Sequence, residues 1–150
     1  MPKPILIVDD GPDDAMLLER MLRAQGITNP IHIVHSAIEA LAYLQGDHGY
    51  EDRSKYPLPK LILLDLRMPG MDGFEFMEWL RANERIGHFK VIVASGLDDV
   101  SSIRRAYTAG ARSFLTKPYT ATDVENLVKG FPNCWNRDKT SPPENRSNPA

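Results

Sequence analysis

The chain has 150 residues, of which 42% are hydrophobic and 25% are charged, and its formal net charge is −2. This length suits one domain that buries about two-thirds of the surface its unfolded chain would expose. The small negative charge gives no basis for nucleic-acid binding, which calls for a concentrated basic patch. No apolar run approaches the roughly 20 residues that cross a bilayer. The N-terminus has no signal-peptide pattern and the single cysteine, Cys134, permits no intrachain disulfide, so we expect a cytoplasmic protein.

Five short apolar runs alternate along the chain with helical patterns. The runs, which we predict to be strands, are ILIV (5–8), IHIV (31–34), KLILLD (60–65), KVIVAS (90–95) and SFLT (113–116). The predicted apolar faces of the five intervening helices are Leu17, Leu18, Met21 and Leu22; Leu41 and Leu44; Phe74, Met77 and Leu80; Val100, Ile103 and Tyr107; and Val124, Leu127 and Val128. Strands that are apolar on both faces and separated by single helices predict a parallel sheet covered on both sides. The leading fold class is therefore a doubly wound α/β sandwich.

Several residues have the pattern of helix starts. Ser36 and Glu39 have the spacing of a capping box, Asp72 and Glu75 begin the third helix, and Thr120 is the predicted N-cap of the fifth. Past the fifth helix the apolar periodicity ends and prolines accumulate. We therefore predict a folded domain over residues 1–131 and a largely disordered C-terminal extension over residues 132–150.

Polar side chains interrupt four of the five strands at their carboxyl ends. Asp9 and Asp10 follow the first strand, Asp65 ends the third, Ser95 ends the fourth and Lys117 follows the fifth. The second strand ends without a comparable residue. Any one of these residues could merely terminate its strand, but the complementary set is harder to explain that way. In an open α/β sheet the carboxyl ends of the strands border the ligand crevice, so we expect these residues to meet there.

Three carboxylates in one crevice repel each other unless a cation joins them. Oxygen ligands beside a phosphate-linked site favour Mg²⁺. A carboxylate at the position of Asp65 can attack phosphorus and form an aspartyl phosphate. Lys117 and Mg²⁺ would then neutralise the phosphoryl charge, and the Ser95 hydroxyl could donate to one of its oxygens.

The segments ILIVDD, LILLDLRMPGMDG, VIVASG and AGARSFLTKPY together resemble the receiver domain of two-component response regulators, over about residues 4–130. The resemblance implies a flavodoxin-like fold, with a five-stranded parallel sheet of order 2-1-3-4-5 and helices on both faces. The long segment from Gly46 to Pro59 is similar to the corresponding loop of small single-domain regulators paired with phytochrome-type histidine kinases.

The resemblance also implies the phosphoacceptor and the metal ligands. Asp65 would accept the phosphoryl group. Asp10, and Asp9 through water, would hold Mg²⁺ together with Asp65 and the backbone carbonyl of Arg67.

Further roles follow from the same resemblance at the ends of the fourth and fifth strands. Lys117 and Ser95 would bind the phosphoryl group, and Ser95 and Phe114 would form the switch. The Lys117–Pro118 peptide bond would be cis. Ser95 stands where threonine is frequent in the family, and Phe114 where tyrosine is also common.

The function implied is that of a phosphoacceptor, with intrinsic self-phosphorylation and slow self-dephosphorylation, rather than an enzyme. Its implied partners are a cognate histidine kinase and either a downstream target protein or a histidine phosphotransfer protein. Neither nucleic acid nor membrane is expected as a partner. A homodimer through helix 4, strand 5 and helix 5 is a further expectation.

Three alternatives compete with this function. A phosphatase of the haloacid-dehalogenase type needs a second acid two residues after its nucleophile, where this chain has Arg67. A flavodoxin needs a phosphate-binding loop after the first strand, where this chain has the acidic segment DDGPDD. A receiver that no longer accepts phosphate would lack an essential group, and all of them are present.

Overall fold

The computed structural model describes residues 3–138, where five strands alternate with five helices. The strands are β1 (Ile5–Val8), β2 (Ile31–Val34), β3 (Leu61–Leu64), β4 (Lys90–Ser95) and β5 (Ser113–Thr116). The helices are α1 (Pro12–Ala24), α2 (Ala37–Gln45), α3 (Gly73–Ala82), α4 (Val100–Thr108) and α5 (Ala121–Gly130). Each predicted apolar run forms a strand and each helical pattern forms a helix. Among residues 3–138, no helix combines the length and the apolar character that crossing a membrane requires.

The strands form one parallel sheet in the order β2-β1-β3-β4-β5, which confirms the predicted topology. From β1 the chain passes outward to β2 and then returns to the other side of β1 to form β3. The direction of winding therefore changes between β1 and β3. A crevice lies beyond the carboxyl ends of two strands that wind apart in this way.

The sheet is covered on both faces, and alternate residues of each strand point to opposite faces. Leu6, Val8, Ile62 and Leu64 lie in one core with α2, α3 and α4. Ile5, Ile7, Leu61 and Leu63 lie in the other core with α1 and α5. Burial on both faces explains why β1 and β3 are apolar at every position.

The start of α2 differs from the predicted capping box. The Ser36 hydroxyl accepts a hydrogen bond from Glu39 N (3.0 Å), as expected for an N-cap. The Glu39 carboxylate, however, accepts from His35 N (3.0 Å) and from the Tyr50 hydroxyl (2.8 Å). The Ser36 half of the predicted box is confirmed, and the Glu39 half is wrong. The Glu39 carboxylate bonds to His35 N and to Tyr50 of the long α2–β3 loop, and not to the backbone N–H of Ser36. Complete capping boxes begin α3 and α5.

Three residues of the predicted apolar helix faces are exposed to solvent. They are Leu17 on α1 and Val100 and Tyr107 on α4. Helical spacing correctly groups residues on one side of a helix. It does not determine which part of that side lies against the sheet.

The packed chain continues beyond α5, past the predicted domain boundary at residue 131. Cys134 and Trp135 are buried in the core formed with α1 and α5. Thr28 N donates to the Asn136 carbonyl oxygen (2.7 Å), and Asn136 N donates to Asn29 Oδ1 (2.7 Å). These contacts keep residues 132–138 on the domain. The remainder of the predicted extension, residues 139–150, lies outside the described residues.

Candidate functional site

Backbone hydrogen bonds hold the carboxyl ends of neighbouring strands in line. The donor and acceptor pairs are Asp9 N to Val34 O (3.1 Å), Asp65 N to Val8 O (2.9 Å) and Lys117 N to Ser95 O (2.9 Å). The ladder of the sheet thereby continues one residue beyond three of the strands, β1, β3 and β5. It places Asp9 and Asp65 side by side at the point where the winding changes direction.

The Lys117 side chain crosses the crevice and contacts three carboxylates. Its Nζ lies 2.7 Å from Asp9 Oδ2, 3.0 Å from Asp65 Oδ2 and 3.1 Å from Asp14 Oδ2. Asp9 and Asp65 are buried, whereas Asp14 is exposed on the first turn of α1. The ammonium group therefore bridges the ends of β1, β3 and β5.

Burial and pairing act in opposite directions on the protonation of this site. Burial raises the pKa of Asp9 from 3.8, although Lys117 and the Gly11 N–H (2.8 Å) both favour its charged form. Burial acts to lower the pKa of Lys117, but hydrogen bonds to Asp9 and Asp65 outweigh that effect and raise the pKa above its ordinary value. Lys117 therefore stays charged at neutral pH.

The donor set of the crevice fits a hard divalent cation. Carboxylate oxygens of Asp9, Asp10 and Asp65 all lie within 4.8 Å of one another. Asp10 is exposed and the other two residues are buried, so the cluster opens toward solvent on one side. Carboxylates combined with access for water match the way Mg²⁺ binds to proteins. Asp65 is further oriented by Arg67 N, which donates to Asp65 Oδ1 (3.1 Å).

The ends of β4 and β5 hold the residues predicted for phosphoryl binding and switching. Ser95 is fully buried, and its hydroxyl oxygen accepts a hydrogen bond from Leu97 N (3.3 Å). Phe114 is half-buried and packs against the core formed with α2, α3 and α4. The Lys117–Pro118 peptide bond is cis, as expected.

A family model described as the response regulator receiver domain matches residues 5–129, which is most of the chain. The chain belongs to this family. Receiver domains are regulators of two-component signalling, so membership decides against the phosphatase and flavodoxin alternatives.

Relatives of known structure share both sequence and fold with this receiver. The response regulator Rcp1 of Synechocystis sp. is 30% identical over 141 residues, with 94% of each chain covered. The crystal structure of Mn²⁺-bound Rcp1 matches with a TM-score of 0.72, covering 87% of this chain and 91% of that one. The bacteriophytochrome response regulator RtBRR matches with a TM-score of 0.80 at 25% identity, covering 95% of this chain and 86% of its own.

Two residues near the site were not predicted from the sequence. Asp14 contacts Lys117, and the only signal for it was its place in the acidic segment before the apolar face of α1. His35 follows β2, the strand for which the sequence predicted no crevice residue, yet its Nδ1 lies 3.0 Å from the Asp9 carbonyl oxygen. The structure does bring together Asp9, Asp10, Asp65 and Lys117, and the roles of these residues stay predictions.

Proposed function

We propose that this receiver is a single-domain response regulator that accepts a phosphoryl group from a histidine kinase onto Asp65. The observation that carries the proposal is the contact of Lys117 Nζ with both Asp9 and Asp65 at the carboxyl end of the sheet. The likeness to Rcp1, which is named a response regulator, supports the proposed role. The signal would leave through phosphorylation-dependent protein binding or through a phosphorelay.

In the proposed reaction, a carboxylate oxygen of Asp65 attacks the phosphorus of a phosphohistidine. The new P–O bond forms as the P–N bond breaks, and the imidazole keeps the bonding electron pair and takes up a proton. Lys117 neutralises charge on the transferred group, and the Ser95 hydroxyl donates to one of its oxygens. Bound Mg²⁺ would supply further neutralisation of the phosphoryl oxygens. With acetyl phosphate as a small phosphodonor, a P–O bond would break instead and acetate would leave with the bonding electron pair. Slow hydrolysis of the aspartyl phosphate would return the free carboxylate and release inorganic phosphate.

The metal ligands that we propose are the carboxylates of Asp10 and Asp65, with Asp9 acting through water and Arg67 through its backbone carbonyl. The carboxylate cluster supports this assignment. The Mn²⁺-bound form of Rcp1 supports a divalent cation in a related receiver.

The switch that we propose consists of Ser95 and Phe114. A phosphoryl group on Asp65 offers the Ser95 hydroxyl a charge-assisted hydrogen bond, which is stronger than one between neutral groups. Movement of Ser95 toward the phosphoryl group would open space for Phe114, giving two discrete packings. The face formed by α4, β5 and α5 would then change shape, and a homodimer through that face is part of the proposal.

The partners that we propose are a phytochrome-type histidine kinase and, downstream, a target protein or a histidine phosphotransfer protein. The name of RtBRR, a bacteriophytochrome response regulator, supports the kinase type. We further propose a cytoplasmic location and no partnership with nucleic acid or membrane.

The test is incubation of the purified protein with acetyl phosphate and Mg²⁺, read by intact mass. We expect the wild type to gain one phosphoryl group, and Asp65→Asn to gain none because the amide is not a nucleophile. Asp47→Asn, which alters an exposed aspartate beyond α2, is the control and should behave as the wild type. Mg²⁺ should raise the free energy of unfolding by about 2.7 kcal/mol at 100 times its Kd, and Asp10→Asn should weaken that effect.

A mass gain that persists in Asp65→Asn would move the acceptor elsewhere and contradict the proposal. A free energy of unfolding that responds equally to Mg²⁺ in the wild type and Asp10→Asn would remove Asp10 from the metal site while leaving the acceptor assignment in place.

A further inference from the structure

The ammonium group of Lys117 has no N–H left for a phosphoryl oxygen in the structure. A lysine ammonium carries three N–H donors. Within residues 3–138, Asp9, Asp65 and Asp14 each accept from Nζ, at 2.7, 3.0 and 3.1 Å. Phosphorylation converts the Asp65 carboxylate into an acyl phosphate and frees the N–H that it accepts, so one phosphoryl oxygen can take that place. A second phosphoryl oxygen can bind Lys117 only if Asp9 or Asp14 gives up its place.

The two remaining carboxylates differ in what their release would cost. The side chain of Asp9 is 4% exposed, whereas that of Asp14 is 54% exposed. A buried carboxylate that loses its partner remains in the protein interior as an uncompensated charge, which is strongly unfavourable. An exposed carboxylate returns to water at little cost. Asp14 is therefore the partner that Lys117 can release most easily.

The start of α1 provides a stable position for Asp14 after its release. Asp14 lies in the first turn of α1, where the helix dipole favours negative charge. In the structure its carboxylate turns back over Gly11. A Cβ at Gly11 would lie 3.3 Å from Asp14 Oδ2 and 3.4 Å from Asp9 Oδ1, so the missing side chain leaves the space that this contact needs.

We infer that Asp14 is a displaceable counter-ion of Lys117, which occupies the lysine in the unphosphorylated protein and yields its place to the phosphoryl group. This inference rests on the proposed function of Asp65. Asp14 is a positioning residue that acts through Lys117 and opposes phosphoryl binding. Its removal should therefore favour the phosphorylated state, in contrast to the removal of Asp9 or Asp65.

The experiment compares Asp14→Asn with Asp13→Asn, a matched control. Both substitutions remove one negative charge from an exposed position in the first turn of α1, and Lys117 contacts Asp14 but not Asp13 among the described residues. The first measurement is the affinity for beryllofluoride, a mimic of the aspartyl phosphate, at saturating Mg²⁺. The second is the acetyl phosphate concentration that gives the half-maximal rate of phosphorylation.

We expect Asp14→Asn to raise the beryllofluoride affinity and to lower the half-maximal acetyl phosphate concentration by about 1.5- to 5-fold, the range for one exposed ion pair. Asp13→Asn should change both quantities less, and Asp14→Glu, which keeps the carboxylate, should restore wild-type values. The affinity for Mg²⁺ should be equal in the wild type and Asp14→Asn. The difference in beryllofluoride affinity between Asp14→Asn and the wild type should shrink at high salt, because salt screens an exposed ion pair.

Three results would overturn the inference while leaving the proposed function intact. Equal changes in Asp14→Asn and Asp13→Asn would show a general effect of charge and no role for the Lys117 contact. Unchanged or weaker beryllofluoride binding by Asp14→Asn would show that Asp14 does not compete with the phosphoryl group. A loss of Mg²⁺ affinity in Asp14→Asn would place Asp14 in the metal site.

Failure of the wild type itself to bind beryllofluoride or accept phosphate would instead contradict the proposed function, and this inference with it.

Discussion

Helices α3 and α4 follow neighbouring strands on the same face of the sheet but are held to it very differently. Both begin with an aspartate N-cap, and each follows a strand that leads into the site. Half of α3 is buried, namely Gly73, Phe74, Phe76, Met77 and Leu80. All nine residues of α4 are described, and among them Ala106 alone is buried. Val100 and Tyr107 of α4 are 70% and 47% exposed.

The glycine that begins α3 and the glycine that follows β4 show the same contrast. A Cβ on Gly73 would lie 2.6 Å from Leu66 Cα and 2.8 Å from the Asp65 carbonyl oxygen, so α3 begins in direct contact with the segment that carries Asp65. A Cβ on Gly96, which follows Ser95, would meet nothing within 4 Å. Elements with few buried contacts shift at low free-energy cost. This contrast supports a division of roles, in which α3 fixes Asp65 and α4 belongs to the face that the proposed switch of Ser95 and Phe114 would reshape.

The largest expected effect comes from removing one aromatic side chain from each helix. Phe76→Ala should lower the free energy of unfolding by about 3–5 kcal/mol, because Phe76 is fully buried and leaves a cavity. Tyr107→Ala should change it far less, by about 0.5 kcal/mol, since about half of Tyr107 is exposed and its removal leaves no enclosed cavity. Urea denaturation of both variants measures the difference. Similar losses in the two variants would mean that α4 is held as firmly as α3.

The exposed face of α4 also shows which features of the structure could not be predicted from the sequence. The strands and the crevice residues could be predicted, because a short apolar run that leads directly to Asp65 or Lys117 is typical of a buried strand entering a polar site. Spacing also grouped Val100 with Tyr107 correctly, but whether another element covers them depends on the packing of the whole chain. The contact of Asp14 with Lys117 joins residues that are 103 positions apart, and local patterns carry no signal at that distance.

A smaller effect is expected from adding one methyl group at Gly73, which begins α3, or at Gly96, which lies in the loop before α4. Gly73→Ala should destabilise the protein by about 1–3 kcal/mol, because its Cβ would press against backbone atoms that cannot rotate away. It should also slow phosphorylation, since the carbonyl it displaces belongs to Asp65. Gly96→Ala should leave both the stability and the rate near wild-type values. Urea denaturation and the acetyl phosphate assay measure the two effects, and a tolerant Gly73→Ala would show that α3 does not fix Asp65.

The smallest expected effect concerns the pH dependence of the start of α4. The side chain and backbone N–H of Ser102 (N to Asp99 Oδ2, 2.9 Å) lower the pKa of Asp99 below 3.8. Because the folded protein binds this proton more weakly than the unfolded chain does, the cap stabilises α4 above about pH 3.8 and is lost as the pH falls through the lower, folded-state pKa. Acid should therefore loosen the first turn of α4.

Carbon chemical shifts of Asp99 and of residues 100–103 would follow the protonation of Asp99 and the loosening of the helix turn. Asp99→Asn, which still caps but does not titrate in this range, should keep the helical shifts of α4 in acid, whereas Asp98→Asn should follow the wild type. A midpoint for Asp99 at or above 3.8 would show that the cap contributes nothing to holding α4 in place.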